Sequence, residues 1–539
     1  MVNFTAIDWV VVAAYFAVVL GISFWSFKQK QKNTEDYFLA SRHIGWFVVG
    51  ASIFASNIGA EHIVGLAGTA AQTGVVMGHY ELHAWLVLAL GWFFIPFYMR
   101  SKVFTMPEFL ELRYSPMARW VLSVITLIAY VFTKICVNVY AGAVVFQALM
   151  GIDFWTGAII ILVLTGIYTV LGGMRAVVYT EALQTIILVL GSLTVAVAGL
   201  IKIGGWSAFV QAAGADHLNL FLPANHPEFP WPGMVFAPPI VGLWYWCTDQ
   251  YIVQRALAAR NEQQARRGTI FASFLKLLPF YIFILPGVMA YVLAKTGQIQ
   301  LASPDQAFPT MVAVLIPIGL RGLVAGGLLA ALMSSLASTF NSSSTLFTMD
   351  IYKKWKPQAS EKKLVSVGRI ATAVLCVSGL AWIPLMKVIS SQLYHYLQSV
   401  QAYLAPPIAA VFLLGIFWKR INGPAALTSL IGGFFLGMLR IVLEMNKTHL
   451  TGFLKAFATI NFLYFCILLF VLCIVTMIVV SLLTKKPDYA KLNGLTYATT
   501  VAADKAASRA TWGWKEVALS LIVVAIVIFS LVYFSGPKG

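Results

Sequence analysis

The chain is built from apolar runs, about 20 residues or longer, separated by short polar stretches. Runs of that length suit helices, which need about 20 residues to cross roughly 30 Å of hydrocarbon, and they lack the ten-residue alternation of barrel strands. The pattern predicts about fourteen spans, at residues 6–27, 43–68, 75–98, 120–147, 152–172, 180–203, 233–255, 269–295, 309–352, 364–386, 392–418, 423–443, 457–484 and 515–536. In lipid every backbone polar group must be satisfied within the protein, so helices are the expected spanning element. The predicted fold class is an all-α polytopic membrane protein.

Two of these runs are interrupted. In the second run, FASNIGAEH (Phe54 to His62) sets Ser, Asn, Gly and Glu in an apolar span; five spans later PPIVGLWYWCTDQ (Pro238 to Gln250) again combines helix breakers with polar groups. Each break taken alone also fits a structural kink. Paired breaks five spans apart point further, because five is odd and a second unit starting there enters from the opposite side. Broken helices in corresponding positions free carbonyls for a cation and aim half-helix ends at a substrate. The expected division is an extra helix and first inner loop (1–42), repeat one (43–203), an outer loop (204–232), repeat two (233–418) and C-terminal helices (419–539).

Composition agrees: 60% of the 539 residues are apolar and 11% charged, too apolar a mixture to hide in a soluble core. The net charge of +17 is a matter of topology. Of the 37 Lys and Arg, 27 fall in alternate loops, which the positive-inside rule assigns to the cytoplasm, leaving both termini outside. This accounts for the charge without nucleic acid. No Lys or Arg precedes the first run, and its basic flank (Lys28 to Lys32) follows it, so it reads as a retained helix and not a signal peptide. Cys136, Cys247, Cys376, Cys466 and Cys473 all fall inside spans without paired spacing, which suits apolar filling better than disulfides or a metal centre. The sequence contains no Gly-rich phosphate loop, Ser-His-Asp arrangement or HExxH, so neither an enzyme nor a nucleotide-driven pump is expected.

GASIFASNIGAEHIVGLAGTAA, TMPEFLELRY, GLWYWCTDQYIVQRALAA, LMSSLASTFNSSSTLFTMDIYKKW and PPIAAVFLLGIFWKRINGPAA resemble the sodium/glucose cotransporter branch of the solute:sodium symporter family. The resemblance spans nearly the whole chain. It implies a LeuT-type inverted repeat of five plus five helices and sodium-coupled sugar import by alternating access. The implied partners are a hexose such as glucose or galactose, the co-transported sodium ion and the bilayer, with no protein partner required.

Carried over residue by residue, the resemblance implies a sodium cage from the carbonyls of Ala55, Ile58 and Ala331 and the hydroxyls of Ser334 and Ser335. The spacing of Ser334, Ser335 and Ser338 puts these serines on one helix face, although serines in membrane helices often only bond back to their own backbone. The implied sugar contacts are Asn57, His62, Glu81, Tyr245, Trp246, Lys276 and Gln398; Tyr245 forms an inner gate, and Leu66, Tyr80 and Tyr394 form an outer one. Glu81 and Lys276 are costly inside a membrane unless they face each other or a wet cavity. Glu181, in a position usually held by Asp, and Ser338 suggest an ion-release path; Ala337 lacks the hydroxyl that two-ion relatives use, so one sodium per sugar is expected. Gly242 and His395 replace polar and acidic residues of relatives, and GAEH is closer to inositol carriers, which keeps a myo-inositol or other polyol symporter as an alternative. A sugar sensor or sodium-leak protein on the same fold and a proton-coupled carrier using Glu81, Glu181 and His62 are further alternatives. Compact outer loops without a Cys-rich insertion suggest a bacterial inner membrane.

Overall fold

The computed structural model describes residues 4–28, 34–59, 61–389 and 393–536, and within them every long element is a helix. Nine helices among the described residues are long and apolar enough to cross a membrane by length and composition. Their outward faces fit that setting: Phe462–Leu483 leaves Leu468, Val471, Val475 and Val479 exposed, an apolar stripe that favours lipid over water.

Both interrupted spans are broken. The helix Trp46–Asn57 ends at Ile58 (φ −78°, ψ 109°), and the chain becomes helical again through a π turn, Glu61–Leu66, into Ala67–Thr73. Ser56, Asn57 and Gly59 are poor helix formers placed where the break falls. The helix Trp231–Cys247 ends at Thr248 (φ −136°, ψ −12°), and Asp249 caps Gln250–Leu257 by accepting the Tyr251 amide at 3.3 Å. Pro238 and Pro239 lie within the first of these helices, so the break sits at the C-terminal end of its motif.

Residues Ile58 and Thr248 are 190 positions apart, and so are the π turns Leu90–Phe94 and Phe280–Ile284. Irregularities thus repeat where the apolar sequence around them does not. The inversion is visible in a bridge between Ile44 and Ala259, with Ile44 N–H donating to Ala258 O and Arg260 N–H to Ile44 O, both at 3.1 Å. The start of the first broken span therefore meets the end of the second.

Three predicted boundaries change. Spans 152–172 and 180–203 form one helix, Phe154–Ile203, because no proline interrupts it and the stretch around Arg175 stays helical. Straight, 50 residues would extend about 75 Å. Along it Gly157 packs on Phe146, Val170 O accepts from the Tyr37 hydroxyl and Gly199 packs on Met289 and Met311. Span 309–352 is divided into Ala307–Leu315 and Leu320–Leu346 by Pro317 and by Gly319 at φ +85°. Span 457–484 begins at Phe462, after a separate helix Gly452–Thr459, and the 204–232 loop carries its own helix, Trp206–His217.

The basic loops converge on the face of the Ile44–Ala259 bridge. Arg42, Arg100, Lys102 and Arg260 share a cavity there with Asp504 and Ser508 of the short helix Ala502–Arg509. Glu111, also on this face, is held below the usual carboxylate range; burial pushes it upward, but Lys354 at 2.8 Å and Arg119 at 2.6 Å outweigh that. At the opposite face Asp8 joins the first helix to Leu320–Leu346 by accepting from Arg321 at 2.9 Å and from the Gly319 amide at 2.8 Å.

The two units meet closely at Gly287, where an added Cβ would lie 2.3 Å from the Ala67 carbonyl oxygen. Gly287→Ala is expected to cost about 1–3 kcal/mol by overpacking. Gly432→Ala, with nothing within 4 Å of the added methyl, is the control and should leave thermal unfolding of the detergent-solubilised protein unchanged. Equal stability of the two variants would contradict this packing.

Candidate substrate and sodium site

A cavity lies between the two breaks, and Asn57, His62, Glu81, Tyr245, Trp246, Lys276 and Gln398 all line it. Its polar side is organised by one buried carboxylate. Glu81 Oε2 accepts from Lys276 Nζ at 2.5 Å, and Oε1 lies 3.3 Å from His62 Nε2, which is itself 3.3 Å from Asn57 Nδ2. Lys276 Nζ stands 5.3 Å from the centre of the Trp246 ring. Buried charges persist in such a setting only when paired and hydrogen-bonded. Around this cluster His62 Nδ1, the Tyr80 hydroxyl and Gln398 Oε1 are buried with no hydrogen-bond partner among the described residues. Orphaned polar atoms around one cavity, with aromatic rings beside them, suit a small ligand that has several hydroxyls and an apolar face.

The cavity is small in this structure. It holds about 50 Å³ of free space, room for a few waters and far below the volume of a typical ligand pocket. Tyr80 and Tyr394 meet edge to face across it, ring centres 6.3 Å apart. Leu66 is buried on the same broken span but does not line the cavity; the neighbouring Gly65 is the close contact, where a Cβ would be 2.9 Å from Tyr394 Cβ.

Below the cavity the two breaks differ in how their free carbonyls are satisfied. At the second, Thr248 Oγ1 donates to Trp244 O at 2.8 Å and the Tyr98 hydroxyl to Cys247 O at 2.9 Å. At the first, the one bond to Ala55 O found among the described residues is a long one, 3.3 Å, from Ser334 Oγ, and Ser56 O accepts from the Tyr251 hydroxyl. Ala331, Ser334, Ser335 and Ser338 are spaced to share one face of Leu320–Leu346, and all are buried. A helix C-terminus with loosely held carbonyls beside neutral hydroxyls is a suitable setting for a hard cation.

Comparison with known proteins agrees with this fold. The model of the sodium:solute symporter family matches residues 37–433. The chain belongs to that family. It is 40% identical over 529 residues to sodium/glucose cotransporter 1 of Oryctolagus cuniculus, covering 90% of this chain and 80% of the relative. It is 39% identical over 535 residues to sodium/myo-inositol cotransporter 2 of Homo sapiens, covering 91% and 79%. In fold it is similar to the substrate-bound, outward-open structure of a Na+-coupled sialic acid symporter, with a TM-score of 0.76 at 21% identity over 90% of this chain and 100% of that one. The symporter is thus a multi-pass membrane transporter on the LeuT-type inverted repeat, with sodium as its coupling ion.

Several residues of the symporter's site are not marked by sequence pattern alone. The Tyr251 hydroxyl sits 2.7 Å from Ser335 Oγ as well as against Ser56 O. Lys134 lies over the rings of Tyr245 and Tyr251, 4.1 and 4.0 Å from their centres, and 3.8 Å from Asp249, fastening the second break. A Lys in the middle of an apolar span is a signal that could have singled it out. Gln401 and His83 line the cavity too. His395 does not; it packs against Phe462 and Phe229, ring centres 5.1 and 6.3 Å away. Glu181, fully buried, accepts from Ser52 and Ser338, has Ser56 Oγ at 3.0 Å and Arg255 Nη2 at 3.4 Å.

Glu81→Gln leaves the Lys276 ammonium buried without its counter-charge, at a cost of about 3–5 kcal/mol. Glu81→Gln with Lys276→Met should recover most of the thermal stability in detergent while sugar uptake stays absent. A single variant as stable as the double one would contradict the pairing.

Proposed function

We propose that this symporter imports a hexose together with one sodium ion by alternating access. The observation that carries the sugar is the set of buried, unsatisfied polar atoms (His62 Nδ1, Tyr80 OH and Gln398 Oε1) around the Glu81–Lys276 pair. A polyhydroxylated ring would satisfy them, Glu81 accepting and Lys276 donating. Similarity to sodium/glucose cotransporter 1 favours a hexose. A cyclic polyol is the second reading, favoured by nearly equal similarity to sodium/myo-inositol cotransporter 2.

Sodium is assigned to the carbonyls of Ala55, Ile58 and Ala331 and the hydroxyls of Ser334 and Ser335, with Ser335 exchanging its Tyr251 contact for the ion. Tyr80 and Tyr394 gate the outer side with Leu66 behind them, and Tyr245 gates the inner. Glu181 and Ser338 lie on the release path. One ion is favoured because Glu181 already faces the Arg255 guanidinium, so a second cation would bind against a fixed positive charge. The basic face is placed in the cytoplasm. Both termini then lie outside: Asp8 is at the opposite face, and Phe534 O accepts from Leu220 N, beyond the Trp206–His217 helix, at 2.8 Å.

The stoichiometry is measurable in proteoliposomes with fixed gradients. One ion moving down a tenfold gradient yields about 1.4 kcal/mol. Its charge adds about 2.3 kcal/mol per 100 mV. Together these sustain roughly 500-fold sugar accumulation, and two ions would square that ratio. Reversal at one charge per sugar is expected. Reversal at two would contradict the single-ion reading, and sodium-independent uptake would contradict the function itself.

A further inference from the structure

We propose that His83 is a specificity-determining residue of the cavity, its imidazole bonding one hydroxyl of the transported polyol from space that Gly242 leaves open. The inference rests on the sugar reading above and adds to it a group that selects one ring position.

His83 precedes the helix Ala84–Ala89, two residues beyond Glu81, and lines the same cavity while remaining only 5% exposed. Gly242 stands opposite it on Trp231–Cys247, in the other repeat unit. A Cβ on Gly242 would come within 2.9 Å of His83 Nδ1 and 2.5 Å of Leu86 Cδ1. The leucine methyl can turn aside. The imidazole is more constrained, with the Tyr80 and Trp85 rings 6.1 and 6.2 Å away, centre to centre. Ring and glycine are therefore complementary: the imidazole takes the volume that a side chain at position 242 would fill.

Of the other histidines nearby, His62 has its Nε2 held by Glu81 and Asn57 and only Nδ1 left for a ligand, and His79 is held to the Leu220 carbonyl at 2.9 Å. For His83 no side-chain hydrogen bond is found among the described residues, yet its ring nitrogens are not among the fully enclosed orphan atoms. They are left for what enters the cavity. A neutral imidazole offers one donor and one acceptor, matching a hydroxyl in both senses, whereas Glu81 and Lys276 each offer one. A site built to bond a substrate hydroxyl strongly rejects the analogue that lacks it.

The test is competition by a series of monodeoxy and epimeric hexoses and deoxyinositols against sodium-driven uptake in proteoliposomes. Wild type is expected to disfavour one monodeoxy analogue by roughly tenfold or more. His83→Ala should raise KM for the parent sugar about tenfold and abolish discrimination at that one position, leaving the others intact with kcat little changed. Gly242→Ser alone should lose uptake by overpacking, and His83→Ala with Gly242→Ser should regain uptake and part of the discrimination. If His83→Ala is unstable, His83→Asn replaces it; keeping a donor and an acceptor on a shorter arm, it should weaken the same single position. An unaltered analogue profile in these variants overturns the inference and leaves the sugar reading standing. Failure of wild type to take up any hexose or inositol with sodium would instead overturn the reading beneath it.

Discussion

A backbone carbonyl inside a membrane must have a partner, and this constraint organises the site. Ending a helix at Ile58 in mid-span leaves the carbonyls of its last turn without their usual amide donors. The protein answers with the serine face of Leu320–Leu346 and the Tyr251 hydroxyl, but among the described residues Ala55 O is held by nothing beyond the long bond from Ser334. A sodium ion would complete what the protein donors leave weak, at the end of a helix whose dipole favours positive charge. At the second break the Thr248 and Tyr98 hydroxyls donate to the carbonyls of Trp244 and Cys247, and Asp249 caps the helix that follows.

The same few residues reach the substrate cavity. Ala55 faces Ser334, Ser56 faces Tyr251, and Asn57 bonds His62, which leads on to Glu81 and Lys276. In the proposed reading the cation and sugar sites are two sides of one unwound segment, so ordering it for one ligand would lower the entropy cost of the other. Buried charges beside the two breaks are paired: Glu81 with Lys276, Glu181 with Arg255 and Asp249 with Lys134. Paired charges near a cavity can be exchanged for ligand contacts without an isolated ion being exposed to lipid.

Much of this was legible in the sequence. Apolar run length marked the helices, and the polar residues of FASNIGAEH and the WYWCTDQ stretch marked the breaks, because poor helix formers within a membrane span carry an evident cost. Boundaries failed where local pattern is silent. Nothing between Phe154 and Ile203 forces the helix to end, so two spans read from hydropathy became parts of one continuous helix. The seven implied sugar contacts surround one cavity. Tyr251 and His83 were missed because their significance lies in what faces them across 195 and 159 residues of chain, Ser56 and Gly242, and no periodicity carries that. His395 shows the converse, since a position singled out as a departure from relatives does not line the cavity.

The central claim is that one unwound segment couples the two ligands, and equilibrium binding tests it without transport. Sugar affinity would be measured in detergent over a range of sodium concentrations, and sodium affinity over a range of sugar concentrations. Coupling through a shared segment predicts that saturating sodium tightens sugar binding by a factor of about 5–150, and that sugar tightens sodium binding by the same factor. Sugar affinity that does not change with sodium would contradict the account.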